Sequence, residues 1–222
     1  MFFKKTKKLI KNMINEILAQ YQNIPNWQIA LETIAFIFGI LSVWFAKKEN
    51  YLVYPTGIIA TTITVYIMYK AKYMADMSIN IYYTFMSIYG WHKWVQPNLN
   101  KNNTSKITRT NKKEKLIGFI MFLLTGIICI GIYTIFKVKI YTNNWIDIFT
   151  TCIFFTAMWF MALKKIESWS LWILGDFLII PILWSRELYI FALQYIIFTI
   201  LAIFAYLEWK KILNKEKATS SE

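Results

Sequence analysis

The chain has 222 residues, 57% of them hydrophobic and 18% aromatic, and its mean hydropathy is positive, which excludes an ordinary soluble domain. Its net charge of +13 does not mark a nucleic-acid binder, because the Lys and Arg residues sit almost entirely in the connections between apolar stretches, where they anchor helices to anionic headgroups. Cys129 and Cys152 lie in apolar stretches with no C-x-x-C arrangement, so neither a redox motif nor a metal site is indicated.

In chain order, the Lys-rich start from Met1 to Lys11 is followed by no apolar h-region with a cleavage site, so no cleaved signal peptide is expected. Residues 3–20 place Leu9, Ile10, Met13, Ile14, Ile17 and Leu18 on one helix face opposite several Lys. That pattern predicts an amphipathic helix on the membrane surface, within an N-terminal segment 1–28. Seven apolar stretches follow, at 29–46, 52–69, 77–94, 116–136, 145–163, 169–184 and 188–209, each near the roughly 20 residues that cross a bilayer. Residues 95–115 form a basic polar loop rich in Asn, Lys and Thr, and 210–222 a polar tail. The expected protein is therefore an all-α integral membrane protein of about seven transmembrane helices, embedded in the lipid bilayer with many passes. The basic loop and tail favour a cytoplasmic C-terminus.

The sequence answers itself 115 to 118 residues later. Tyr51, Tyr54 and Gly57 match Trp169, Trp172 and Gly175, and the pair Trp91 and Trp94 is answered by Tyr206 and Trp209. Two three-helix repeats, at 29–94 and 137–209, with the stretch 116–136 as a linker helix between them, give a 3+1+3 plan. Three crossings end on the far side of the membrane, so one further helix returns the chain to begin the second triplet in the same orientation. Parallel repeats related by an axis along the membrane normal mark transporters of the SWEET type.

The second span of each repeat carries helix-disturbing residues, Pro55 and Gly57 in one, Gly175 and Pro181 in the other. Such interruptions at corresponding positions point to a transporter's substrate site. The sixth span also contains Asp176. A carboxylate within a membrane helix costs about 2.5 to 3.5 kcal/mol on insertion scales, so it should face the bundle interior. Trp169, Trp172 and Asp176 fall at i, i+3 and i+7, on one helix face. Two indole faces and an acid suit a flat, electron-poor ring. Tyr51 and Tyr54, matched to the two Trp residues, join them as candidates. Asn80 and Gln194, in the third spans of the two repeats, could project from similar depths into a central cavity. Glu32, Asp76 and Asp147 lie near span starts, where a helix N-terminus accommodates an acid.

Catalytic chemistry finds no support. His92 is the only histidine, which leaves no metal cluster and no Ser-His pair. There is no phosphate-binding G-x-x-x-x-G-K-[ST] loop. Nothing calls for a cofactor or for a nucleic-acid partner. A non-transporting membrane scaffold is the competing class, in which the aromatic residues would serve only as interfacial belt and packing. Exposed apolar surface leaves room for a homo-oligomer.

Three motifs carry a family resemblance: Asp76 four residues before Asn80; Ser87, Gly90, Trp91 and Trp94 in one run; and Trp169, Trp172 and Asp176. Together they resemble the PnuC family of bacterial vitamin transporters, from about Glu32 to Trp209. The resemblance implies a 3+1+3 fold and uptake of nicotinamide riboside across the bacterial inner membrane by facilitated diffusion. It further implies substrate binding by Trp169, Trp172 and Asp176. Family members also carry thiamine or riboflavin, and a pyridinium or a thiazolium would satisfy two Trp faces and a carboxylate equally well.

Overall fold

The computed structural model describes residues 24–70, 74–99, 106–135, 137, 139, 141–185 and 189–219. The predicted amphipathic N-terminal helix lies outside the described residues. Seven helices follow in order: α1 (Asn26–Lys47), α2 (Val53–Lys70), α3 (Met74–Leu99), α4 (Lys112–Ile135), α5 (Thr142–Ala162), α6 (Glu167–Ser185) and α7 (Tyr189–Thr219). Five of them, α1, α4, α5, α6 and α7, are long and apolar enough to cross a bilayer, so the chain is a multi-pass membrane protein. The remaining two, α2 and α3, spend polar side chains on each other, with Thr61 Oγ1 and Thr84 Oγ1 2.8 Å apart. The last helix runs on from the apolar stretch through the polar residues 210–219.

Helix ends follow local chemistry. Asn111 and Glu114 form a reciprocal cap at the start of α4: the Glu114 amide donates to Asn111 Oδ1 and the Asn111 amide to Glu114 Oε2, both at 2.8 Å. The helices α1 and α5 close in the same way. After α1 the amides of Glu49 and Asn50 donate to the carbonyls of Ala46 and Phe45; after α5 those of Lys164 and Lys165 donate to Met161 and Phe160. These are two Schellman closures. Their left-handed residues, usually glycine, are here Glu49 (φ 53°) and Lys164 (φ 52°).

Each helix packs on its sequence neighbour except α3 on α4, and the bundle is closed by α1 against α7 and α3 against α5. Tyr82 and Phe155 fasten the α3–α5 contact, their rings stacked at 3.8 Å and the Tyr82 hydroxyl donating to the Phe155 carbonyl at 3.0 Å. At the edge, α4 seats on α5 through Gly118, where any Cβ would stand 2.6 Å from the Phe160 ring. Its other face, including Phe119, Leu123, Ile127 and Ile128, is exposed, as a lipid-facing surface should be.

The polar loop is more than a connection. The Thr108 amide donates to the Lys164 carbonyl and the Ile166 amide to the Thr108 carbonyl, both at 3.1 Å. Ile107 is buried beside this bridge. Lys165 reaches Glu114 at 2.7 Å and Thr108 Oγ1 at 2.9 Å. Residues 107–114 thereby clamp the α5–α6 turn to the start of α4.

Candidate functional site

The α1–α2 and α5–α6 turns are congruent at a spacing of 115 residues: Phe45, Ala46, Glu49, Asn50 and Tyr54 correspond to Phe160, Met161, Lys164, Lys165 and Trp169. This is three residues shorter than the spacing that matches Tyr51, Tyr54 and Gly57 to Trp169, Trp172 and Gly175. Trp94 and Trp209 lie at the same 115-residue spacing and touch each other, with ring centroids 6.2 Å apart. Around them Tyr54 meets Trp94 edge-on (5.2 Å, 89°) and Trp169 meets Trp209 edge-on (5.5 Å, 86°). Tyr54, Trp94, Trp169 and Trp209 thus form one buried quartet of rings beside the two congruent turns. The Trp209 indole N–H donates to the Ala46 carbonyl at 3.1 Å.

Asp176 lies seven residues beyond Trp169 on α6, about 10 Å along the helix, and is only 2% exposed. Trp172 is one turn before it, on the same face. The Trp172 ring stacks on Phe154 of α5 (5.4 Å, 27°), Phe154 stacks in turn on Tyr195 of α7 (6.1 Å, 25°), and Tyr83 of α3 stands 6.3 Å from Trp172. Tyr83 is partly buried and lies near enough to Tyr195 and Asp176 to interact electrostatically with both. Four helices therefore bring together the Trp172 and Phe154 rings, the two phenols of Tyr83 and Tyr195 and the Asp176 carboxylate. Gly175 makes this possible, since a Cβ there would fall 2.3 Å from Phe154 Cε1.

The other sequence candidates are distributed differently. Trp169 and Tyr54 belong to the ring quartet, nearer the turns. Tyr51 is 47% exposed at the α1–α2 turn. Asn80 is part-buried one turn from Tyr83 and Thr84, its carbonyl accepting from Thr84 Oγ1 at 2.9 Å. Gln194 turns toward α1, where its Nε2 would be 3.8 Å from a Cβ on Gly39. Sequence reasoning missed Tyr83 and Tyr195. A signal existed for the second: at the 115-residue spacing Asn80 is answered by Tyr195, one position after Gln194. By the same spacing Trp172 and Asp176 are answered by Gly57 and Thr61, so the ring and the acid are carried by one half only. Among the described residues no group of three His, Cys, Asp or Glu is placed to hold a metal ion.

A family model described as "Nicotinamide mononucleotide transporter" matches residues 29–211. The nicotinamide riboside transporter PnuC of Escherichia coli (strain K12) is 22% identical over 205 residues, covering 78% of this chain and 82% of that protein. That of Neisseria mucosa is 21% identical over 203 residues, covering 87% and 75%. A crystal structure of the vitamin B3 transporter PnuC shares the fold, with a TM-score of 0.66 and 20% identity over 93% of this chain and 90% of that one.

Proposed function

The chain belongs to the nicotinamide mononucleotide transporter family, that of the PnuC carriers, and from that premise we propose that it carries nicotinamide riboside across the bacterial inner membrane by facilitated diffusion. Its relatives and its fold are those of a transporter and not of an enzyme. The observation that carries the choice of solute is the buried Asp176 beside Trp172, faced by Tyr83 from the other half of the bundle. A carboxylate in apolar surroundings is costly without a counter-charge. The pyridinium of the riboside supplies that charge, its flat ring fits against the Trp172 face, and its ribose hydroxyls suit the two phenols and Asn80.

The same chemistry argues against a phosphorylated cargo. None of the stretches 26–46, 53–69, 74–91, 116–135, 142–162, 167–185 and 189–209 contains a Lys or Arg. A phosphate would therefore enter beside Asp176 with no cation to receive it. The proposed architecture is the 3+1+3 plan, with α1–α3 and α5–α7 as parallel repeats, α4 as the linker, and alternating access about the point between them. Trp172, Asp176, Tyr83 and Tyr195 are the proposed contacts, with Asn80 and Trp169 at the margins. With no nucleotide-binding loop and no chain of intramembrane acids in the sequence, the solute's own gradient is the proposed driving force.

Uptake into proteoliposomes tests the reading. Saturable entry of labelled nicotinamide riboside is expected, abolished by Asp176→Ala and by Trp172→Ala in protein that still elutes as a folded species. Full uptake in either variant would remove those residues from the site, and preferred uptake of thiamine would reassign the cargo.

A further inference from the structure

Glu49 and Lys164 occupy the same place in the two halves, 115 residues apart, and they meet: Lys164 Nζ lies 3.5 Å from Glu49 Oε2. Residues related by a pseudo-twofold axis can touch each other only where they approach that axis. The contact between Trp94 and Trp209 at the same spacing puts the rings there too. Lys164 joins the two layers, its ammonium 4.5 Å from the centroid of the Trp94 ring. In a carrier built of parallel repeats the solute path follows this axis. The ion pair and the ring quartet therefore stand across the path, on the turn side of Asp176.

The backbone gives a second, independent sign that these side chains are there for a purpose. A left-handed residue closing a helix is ordinarily glycine, because a side chain in that conformation is strained. Both closures instead carry a long charged residue, of opposite sign in the two halves. Strain kept at matched positions is expected where the side chain has work to do. The surroundings also differ: the Lys164 turn is clamped by Thr108 of the loop, which fixes one side of the contact.

We propose that Glu49 and Lys164, with the Trp94 ring against which Lys164 lies and the Trp209 ring that meets it, form the latch that closes the solute path at the turn end of the bundle. The inference rests on the carrier reading. Each transport cycle must separate Glu49 from Lys164 and part the two indoles, and reuniting them shuts this end while the other opens. The latch acts on access and not on recognition, so it governs flux and leaves binding at Asp176 nearly unchanged.

Charge reversal tests it. Glu49→Lys or Lys164→Glu sets like charges on the axis, and saturable uptake should fall by about tenfold or more while riboside affinity changes by less than about threefold. The double reversal should recover uptake to within about threefold of the unaltered chain. A readout independent of transport uses Asp176→Cys in a Cys129→Ser, Cys152→Ser background, exposed to a water-soluble charged thiol reagent from the turn side of proteoliposomes. Labelling should be slow with the latch intact, faster with either single reversal and slow again with both. Equal labelling in all forms, or a double reversal as leaky as the singles, would overturn the latch. Absence of saturable uptake by the unaltered chain would instead overturn the carrier reading, and the labelling rates would still decide whether this contact seals the axis.

Discussion

Gly175→Ala connects packing to function at a single atom. The added Cβ would lie 2.3, 2.8 and 2.9 Å from Cε1, Cδ1 and Cζ of Phe154. That ring is rigid and is held between Trp172 and Tyr195, so it has no free end to swing away. Overpacking of this kind costs about 1 to 3 kcal/mol, which for a chain of this length lowers Tm by about 2 to 12 °C. Because Phe154 can move only by displacing Trp172 or Tyr195, riboside affinity should fall with the stability. The pseudo-equivalent pair in the first half is Ala60 and Gly39, a larger residue on α2 offset by a smaller one on α1. Phe154→Ala leaves a cavity costing about 3 to 5 kcal/mol by itself, but in that background the methyl added by Gly175→Ala meets no ring. A cycle measured by thermal unfolding in detergent should therefore be non-additive, with the double variant more stable than the sum of the singles by about 1 to 3 kcal/mol. Additivity within about 0.5 kcal/mol would show that Gly175 and Phe154 do not constrain each other.

Removing the hydroxyl in Tyr83→Phe deletes one partner near Asp176 and should weaken riboside binding by about 2- to 12-fold with Tm unchanged; unchanged affinity in calorimetry would place the phenol outside the site. Lys164 lies outside the spanning segments, and burial lowers its ammonium pKa, opposed by Glu49. Between that lowered value and the ordinary lysine value the unfolded chain binds the extra proton, so stability should rise with pH across this window. The difference in Tm between the unaltered chain and Glu49→Gln/Lys164→Met should shift in that direction on titration, and a flat difference would remove the burial penalty. Thr108→Pro removes the amide that donates to the Lys164 carbonyl, at a cost of about 0.5 to 1.5 kcal/mol. Hydrogen exchange at the amides of Lys164 to Ile166 should speed up accordingly, and unaltered exchange would mean that the loop does not clamp the turn.

The helices were legible because long apolar runs with basic connections admit few other readings, and Trp94 and Trp209 already stand at the 115-residue spacing that the α1–α2 and α5–α6 turns share. The register of the first match was harder. Tyr51 and Tyr54 resemble Trp169 and Trp172 in ring spacing, whereas the structural correspondence is set by helix closures at Glu49 and Lys164, two residues with no chemical likeness. Asn80 and Gln194 share a polar character and a similar distance from the matched aromatic pairs, but Gln194 stands one position before Tyr195, the residue that answers Asn80 at the 115-residue spacing, and it faces α1. Tyr83 was illegible for a different reason: a tyrosine in an aromatic-rich span carries no mark of depth, and only the α3–α5 contact brings it to Asp176. The Thr108 clamp escaped because a polar loop has no periodicity from which to read a partner.

The most direct test is calorimetric binding of nicotinamide riboside, nicotinamide mononucleotide and thiamine to the purified protein and to Asp176→Asn. Micromolar binding of the riboside, much weaker binding of the mononucleotide, and loss of riboside binding in Asp176→Asn are the expected results. Riboside binding that survives Asp176→Asn unchanged, or a mononucleotide that binds more tightly than the riboside, would contradict recognition of a cationic nucleoside by this buried carboxylate.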